Sequence, residues 1–211
     1  MDSATLAYHA RDEGYDLHVV HATYGQRTAA KEHQCAEMIA SRLDAREFFV
    51  VRLGYLARIG ASSLTDQTIP VETGESDGLP TTYVPFRNAN LLSIATSYAE
   101  ARGAEAVFIA VQARDYAGYP DCRPAFIEAF QRVMDLGTGP KTRIALKTPF
   151  IGMDKTEILA RGIALGVPYE LTWSCYQSGD QACGACSSCR FRREAFWALG
   201  REDPIPYGDG P

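Results

Sequence analysis

Four of the chain's six cysteines, Cys175, Cys183, Cys186 and Cys189, fall in the run C-YQSGDQA-C-GA-C-SS-C, with spacers of seven, two and two residues. Four thiolates can close a tetrahedron around one Zn²⁺, and two-residue spacers let neighbouring sulfurs converge on it without strain. Gly179 and Gly184 supply backbone freedom where such a loop must turn tightly. A pair of disulfides suits a secreted protein better than this chain, which opens without a signal-peptide pattern. An iron–sulfur cluster uses the same ligand set and stays open beside zinc. A four-thiolate site leaves no position for water, so its role is structural and folds the loop, with roughly 10–16 kcal/mol available from such a site. Catalytic chemistry must therefore come from elsewhere in the chain.

The elements that position this cluster fit one domain. At 211 residues and 46% hydrophobic composition, the chain can bury a full core. A net charge of −5 argues against a broad nucleic-acid surface. Any anionic ligand would be held by a few placed cations and by helix N-termini. No apolar run is long enough to span a membrane, and the reading is of a cytoplasmic protein.

Taken in order, the chain alternates helix and strand. A helix capped by Asp2 or Ser3 is followed by a buried strand at 17–24, a helix bearing Ala36, Ile39, Ala40 and Leu43 on one face, and a strand at 48–53. Residues 54–86 form a long connection punctuated by Pro70, Gly74, Gly78, Pro80 and Pro85, a length more usual for functional loops than for links. Asn88 is expected to cap the next helix, which leads into a strand at 106–111. Beyond that strand lies the polar stretch QARDYAGYPDCR, on the side of a parallel sheet where ligands bind. A helix with Phe126, Ile127, Phe130, Val133 and Met134 on one face, a strand at 144–146, a helix at 154–165 and a basic-aromatic helix at 191–199 complete the chain. The expected organisation is an α/β parallel sheet wrapped on both faces over residues 1–170, a zinc-binding loop and helix over 171–200, and a loosely held tail over 201–211.

Four segments stand in a recognisable order: YGQR at 24–27, TTYVPFRN at 81–88, DYAGYPDCR at 115–123, and the cysteine cluster. Together they resemble the 7-cyano-7-deazaguanine synthase family, the queuosine-pathway branch of the PP-loop ATP pyrophosphatases, from Asp2 to about Leu199. The pairing of GYPDCR with the cluster, in this order, is the specific part. The resemblance implies a Rossmann-like fold of the adenine nucleotide alpha-hydrolase type, one structural zinc, ATP with Mg²⁺, and a homodimer. It also implies the reaction. ATP adenylates 7-carboxy-7-deazaguanine, ammonia displaces AMP to give an amide, and a second activation dehydrates the amide to the nitrile.

Adenylating a carboxylate brings two anions together and calls for cations and backbone N–H groups around the α-phosphate. Arg87, Arg123 and Lys155, each in a turn or at a helix start, are the candidates. Asp2 and Ser3, at the end of the family's nucleotide loop, and Ala4 and Thr5 directly after them are the nucleotide-binding candidates that the resemblance implies. Asn88, Asp115 and Asp121 could read the guanine-like edge, a carboxylate accepting paired N–H groups, and Tyr116 or Tyr119 could stack on its plane. Cys35, Cys122 and the four histidines are read as packing residues.

One feature departs from the family pattern. Its S-G-G-x-D-S loop is matched only by Met1-Asp2-Ser3, with Met1 at the variable position. The preceding strand and Ser-Gly-Gly, on the order of ten residues for a typical strand, are not in the sequence. The expectation is that Met1 is an internal methionine of a longer, active protein. The competing expectation is a chain that starts here and is unstable or inactive as a synthase. Two other functions compete on the same residues, a tRNA-thiolating relative and a non-catalytic zinc-bearing remnant.

Overall fold

The computed structural model describes residues 1–73, 78–177 and 179–208, without the side chains of residues 116 and 117. Helix α1 (Asp2–Asp12) leads into β1 (His18–Thr23), α2 (Ala29–Arg42) and β2 (Glu47–Arg52). The β-branched and aromatic residues of β1 and β2 suit paired, half-buried strands. The two run parallel, with His18 opposite Glu47 and Thr23 opposite Arg52. A short helix α3 (Gly54–Ile59) and a long connection reach α4 (Arg87–Arg102). Then come β3 (Ala106–Phe108), α5 (Asp115–Gly118), a 3₁₀ turn (Pro120–Cys122), α6 (Pro124–Gly137) and β4 (Ala145–Lys147). Helix α7 (Lys155–Ala164), a second 3₁₀ turn (Tyr169–Leu171) and α8 (Ser187–Ala198) close the order. β3 and β4 are also parallel, Ala106 facing Ala145. Parallel pairs joined through helices make this an α/β fold of Rossmann-like build.

β1 and β3 do not pair with each other. Between them runs a cleft of about 570 Å³ lined by consecutive residues 18–22 and 106–110. Successive side chains of a strand point to opposite faces, so an unbroken lining run means that strand edges border the cleft. Leu6 of α1, Ile39 of α2 and Leu91 of α4 wall it on either side.

Several boundaries differ from the sequence expectation for physical reasons. The strand expected over 106–111 is regular only at Ala106–Phe108, because β4 supports it along one edge and only for that length. Asn88 does not cap α4: Phe86 is the cap residue, in a left-handed conformation (φ 56°), and Asn88 lies inside the first turn. Met1, not Asp2 or Ser3, stands at the cap of α1. α7, expected over 154–165, starts one residue later because Asp154 is its cap: Asp154 accepts from the amides of Thr156 and Glu157, and Glu157 reaches back to the Asp154 amide. Lys155 is thereby fixed as the first residue of that helix.

The connection at 54–86 is anchored. Arg27 donates to the carbonyls of Ser63 (2.7 Å), Asp66 (3.0 Å) and Ile69 (2.8 Å), drawing the loop onto the start of α2. Gly74 lies outside the described residues. The C-terminal segment, expected to be loose, is docked through residue 208. The reason is a buried ion pair: Arg192 of α8 holds Asp203 at 2.7 and 2.9 Å, and the Tyr207 hydroxyl donates to the same carboxylate. Pro206 and Gly208 also bond to the backbone of Ala182, in the cysteine loop.

Candidate functional site

The sulfurs of Cys175, Cys183, Cys186 and Cys189 all lie within 4.8 Å of one another. From the sequence, the metal alone folds this loop. Instead Cys175, Cys186 and Cys189 are buried in one apolar cluster with Trp173, Ala182 and Ile205, because the docked C-terminal segment closes over them. Gly184 (φ 70°) makes the turn between the second and third cysteines. Helix α8 begins one residue after Cys186 and carries Cys189 in its first turn. Backbone amides point at sulfur, from Gln177 and Cys183 to Cys175 (3.4 and 3.3 Å) and from Cys186 to Cys183 (3.4 Å). Such donors stabilise thiolates. Hydrogen bonds from Cys186 and Cys189 pull the Cys175 thiol down, and Cys175 in turn pushes Cys186 up to about 11 and Cys189 higher still. Four sulfurs this close cannot all ionise unless a cation sits among them. The donor set therefore fits a metal ion.

A second cluster gathers at the N-terminus of α1. The Lys155 ammonium, at the start of α7, contacts the Asp2 carboxylate. Burial opposes ionisation of Asp2, but the Lys155 charge and its hydrogen bond outweigh it, so this carboxyl is held below the usual carboxylate range. Two helix N-termini thus approach one point, an arrangement suited to an anion. Asp115, at the start of α5, joins them through Gln112, whose backbone amide donates to Asp115 (3.3 Å) and whose side-chain amide approaches Asp2 (3.5 Å). Burial pushes Asp115 up to about 6, with the Asp2 charge adding to the rise.

Not every residue of the expected nucleotide segment faces this corner. Ser3 is exposed and Ala4 packs against apolar neighbours of α1. Thr5 is fully buried, and its hydroxyl bonds to the Met1 carbonyl (3.3 Å) and the Tyr169 hydroxyl (2.8 Å). Its side chain holds α1 to the second 3₁₀ turn.

Arg87 sits in a different, aromatic setting. It donates to the Tyr24 hydroxyl at 3.1 Å, its guanidinium lies 5.6 Å from that ring's centre, and the Tyr24 charge raises its already high pKa. Tyr119 and Tyr176 lie close enough to add to that rise. The Tyr119 hydroxyl is shared with Thr82 at 2.9 Å, and the side chain of Tyr116 lies outside the described residues. Asn88 and Asp121 are buried and bonded to each other, the Asp121 carboxylate accepting from the Asn88 amide at 2.8 Å. Their mutual pairing joins the two motifs that carry the expected substrate residues. Arg123 stands exposed at the cap of α6, its carbonyl accepting from Phe126 and Ile127.

Sequence reasoning passed over three residues that matter here. Gln112 and Tyr176 lie inside the quoted stretches but carry no charge to draw attention. Arg192 lies in a helix where a surface role is the default reading, and its partner Asp203 is separated from it by the turn at Gly200.

The parallel α/β build, a corner at the N-termini of α1 and α7 and a four-cysteine cluster that could hold a metal ion define a Rossmann-like protein. The chain belongs to the family described as queuosine biosynthesis protein QueC, whose model matches residues 1–200. It is 66% identical over 209 residues to a 7-cyano-7-deazaguanine synthase of Methanoculleus marisnigri, covering 98% of this chain and 94% of that protein. A protein of the same name from Methanosphaerula palustris is 62% identical, over 98% and 95% of the two chains. One from Haloarcula marismortui is 54% identical, over 100% and 92%.

Proposed function

We propose that this protein is a 7-cyano-7-deazaguanine synthase, an ATP-dependent carbon–nitrogen ligase of queuosine biosynthesis. The observation that carries the reading is the meeting of Asp2 and Lys155 at two helix N-termini, within a chain that matches its relatives almost end to end. In this reading ATP arrives with Mg²⁺, and its phosphates lie at the N-terminus of α1, beside Asp2 and Ser3. Lys155 offsets charge on the α-phosphate as the substrate carboxylate attacks it and pyrophosphate leaves. Arg87 and Arg123 supply further positive charge on the substrate side. The tyrosines around Arg87 offer π-faces for the deazaguanine ring, and Asp115 faces the reacting groups.

The four cysteines would hold one zinc, which closes the C-terminal lobe and takes no part in adenylation. The protein is read as cytoplasmic and homodimeric. Among the described residues no helix is long and apolar enough to cross a membrane. The thiolating alternative wants a reactive thiol near the substrate. Cys122, the cysteine of the presumed substrate loop, is buried and pushed up to about 12 by that burial, which makes it a poor nucleophile.

ATP–pyrophosphate exchange tests the reading. Exchange that depends on 7-carboxy-7-deazaguanine supports the synthase. Exchange only with another acid points to a sister ligase, and none with any acid points to a non-catalytic protein.

A further inference from the structure

Helix α6 carries apolar residues on two faces. Ile127, Phe130 and Met134 enter the core. From the half-buried Phe126, Ala129, Val133 and Leu136 continue along the outer face at spacings of three, four and three residues, the repeat of a helix–helix seam. All three are exposed, Leu136 by 88%. The seam runs on into neighbouring elements. The Phe126 ring meets that of Phe86 edge-on at 6.1 Å, the Phe86 carbonyl accepts from the Asn90 side chain at 2.8 Å, and Asn90 accepts from the Tyr55 hydroxyl at 2.8 Å. Ile59 stands one turn beyond Tyr55 on α3. Five of the seven large hydrophobic side chains exposed among the described residues therefore lie along one strip: Tyr55, Ile59, Phe86, Val133 and Leu136. Single exposed apolar residues are ordinary, whereas a contiguous strip marks a surface that something covers.

We propose that this strip is the face on which two copies of the chain associate, their α6 helices crossing antiparallel about a two-fold axis. This deepens the homodimer reading given above and rests on it, not on the catalytic assignment. Area and charge together select a second copy. At roughly 150–200 Å² for each large side chain, the five place on the order of 500 Å² of apolar surface on the strip. A standard interface takes about 800 Å² from each partner, a little over half of it apolar, so the strip matches what a stable dimer needs. The exposed Glu128 and Arg132 lie one turn apart beside the seam, on the flank away from the core. Antiparallel pairing sets Glu128 of each copy against Arg132 of the other, so the surface is complementary to itself, as a two-fold interface requires. A flank of one charge would call for a different partner of the opposite charge. Ala129, in the middle of the seam, lets the two helices approach closely.

Sedimentation velocity over a range of protein concentrations tests this. The parent protein should sediment as a dimer that gives way to monomer on dilution. Leu136→Glu and Val133→Lys change exposed side chains outside the catalytic and binding residues. Each should raise the dimer dissociation constant about tenfold or more and leave the circular dichroism of the parent intact. Glu128→Arg or Arg132→Glu alone should also weaken the dimer, and the two changes in one chain should restore it, a rescue that damage to the fold would not give. A parent protein that remains monomeric at about 100 μM overturns the proposal together with the homodimer reading. A dimer undiminished by Leu136→Glu and Val133→Lys overturns this face and leaves the homodimer reading standing. No rescue in the doubly reversed chain overturns the antiparallel pairing. Absence of substrate-dependent ATP–pyrophosphate exchange in a protein that dimerises as expected would instead sink the synthase reading alone.

Discussion

The Asp121 carboxylate accepts a hydrogen bond at 2.8 Å from the backbone amide of Asn88, in the first turn of α4. A residue 33 positions away therefore does what a local cap does elsewhere, satisfying one of the orphan amides of a helix start. Asn88 answers with its side chain, donating to the Asp121 carbonyl and the Cys122 sulfur. The pair fastens the loop carrying Asp115 and Tyr119 to the helix carrying Arg87. Asp121→Ala should cost about 1–3 kcal/mol in urea unfolding, the penalty for a buried donor left without its partner. A loss below a few tenths of a kcal/mol would mean that the loop is held some other way.

Arg192 and Asp203 form the second fastening, with 0% and 5% side-chain exposure. Arg192 also donates to the Thr172 hydroxyl (2.7 Å) and the Tyr169 carbonyl (3.0 Å). Removing one member of a buried pair strands the other's charge. Arg192→Met should therefore cost about 3–5 kcal/mol, and Arg192→Met with Asp203→Leu less than the single change. A double variant as unstable as the sum of the two singles would contradict the coupling.

Asp115 sets a pH dependence of unusual sign for a carboxylate. Burial raises it to about 6 in the folded protein from 3.8, so the folded state holds its proton longer than the unfolded chain. Its contribution to stability is thus favourable below about 4 and is lost as pH rises through 6. Asp115→Asn should stabilise the protein at pH 7 by about 1–2 kcal/mol and flatten stability between those limits. The same titration should give catalysis an acid limb near pH 6. An activity profile flat from pH 5 to 7, roughly a unit either side of that limb, would contradict the role given to the carboxylate.

For the cysteines the expected outcome is one zinc per chain by elemental analysis, no charge-transfer absorption in the visible, and a large loss of melting temperature on chelation. Cys186→Ser, at a fully buried ligand, should lose zinc and unfold α8 together with the docked C-terminal segment. Visible absorption with bound iron would replace zinc by an iron–sulfur cluster.

Much of this was legible in the residues. The cysteine spacing announced the cluster because ligand geometry is local, and Lys155 was read at a helix start, where the structure has it, although the Asp154 capping box beside it went unread. The internal partners of Asn88, Asp121 and Thr5 were hidden for the opposite reason. Polar residues in a ligand-side motif look available to a ligand, and only the tertiary structure shows that each is already paired inward. The docking of residues 201–208 was hidden in the same way. A segment rich in Gly and Pro reads as loose, and the one buried arginine that holds it lies in a different helix. Gln112 opens the quoted ligand-side stretch but carries no charge, so only its two carboxylate neighbours in the structure single it out.

The most direct measurement is product analysis by mass spectrometry after incubating purified protein with 7-carboxy-7-deazaguanine, MgATP and ¹⁵N-ammonium. The account predicts 7-cyano-7-deazaguanine carrying the ¹⁵N label, through a labelled amide, with two ATP cleaved to AMP and pyrophosphate for each nitrile formed. Substrate recovered unchanged, in a folded and zinc-loaded protein, would contradict it.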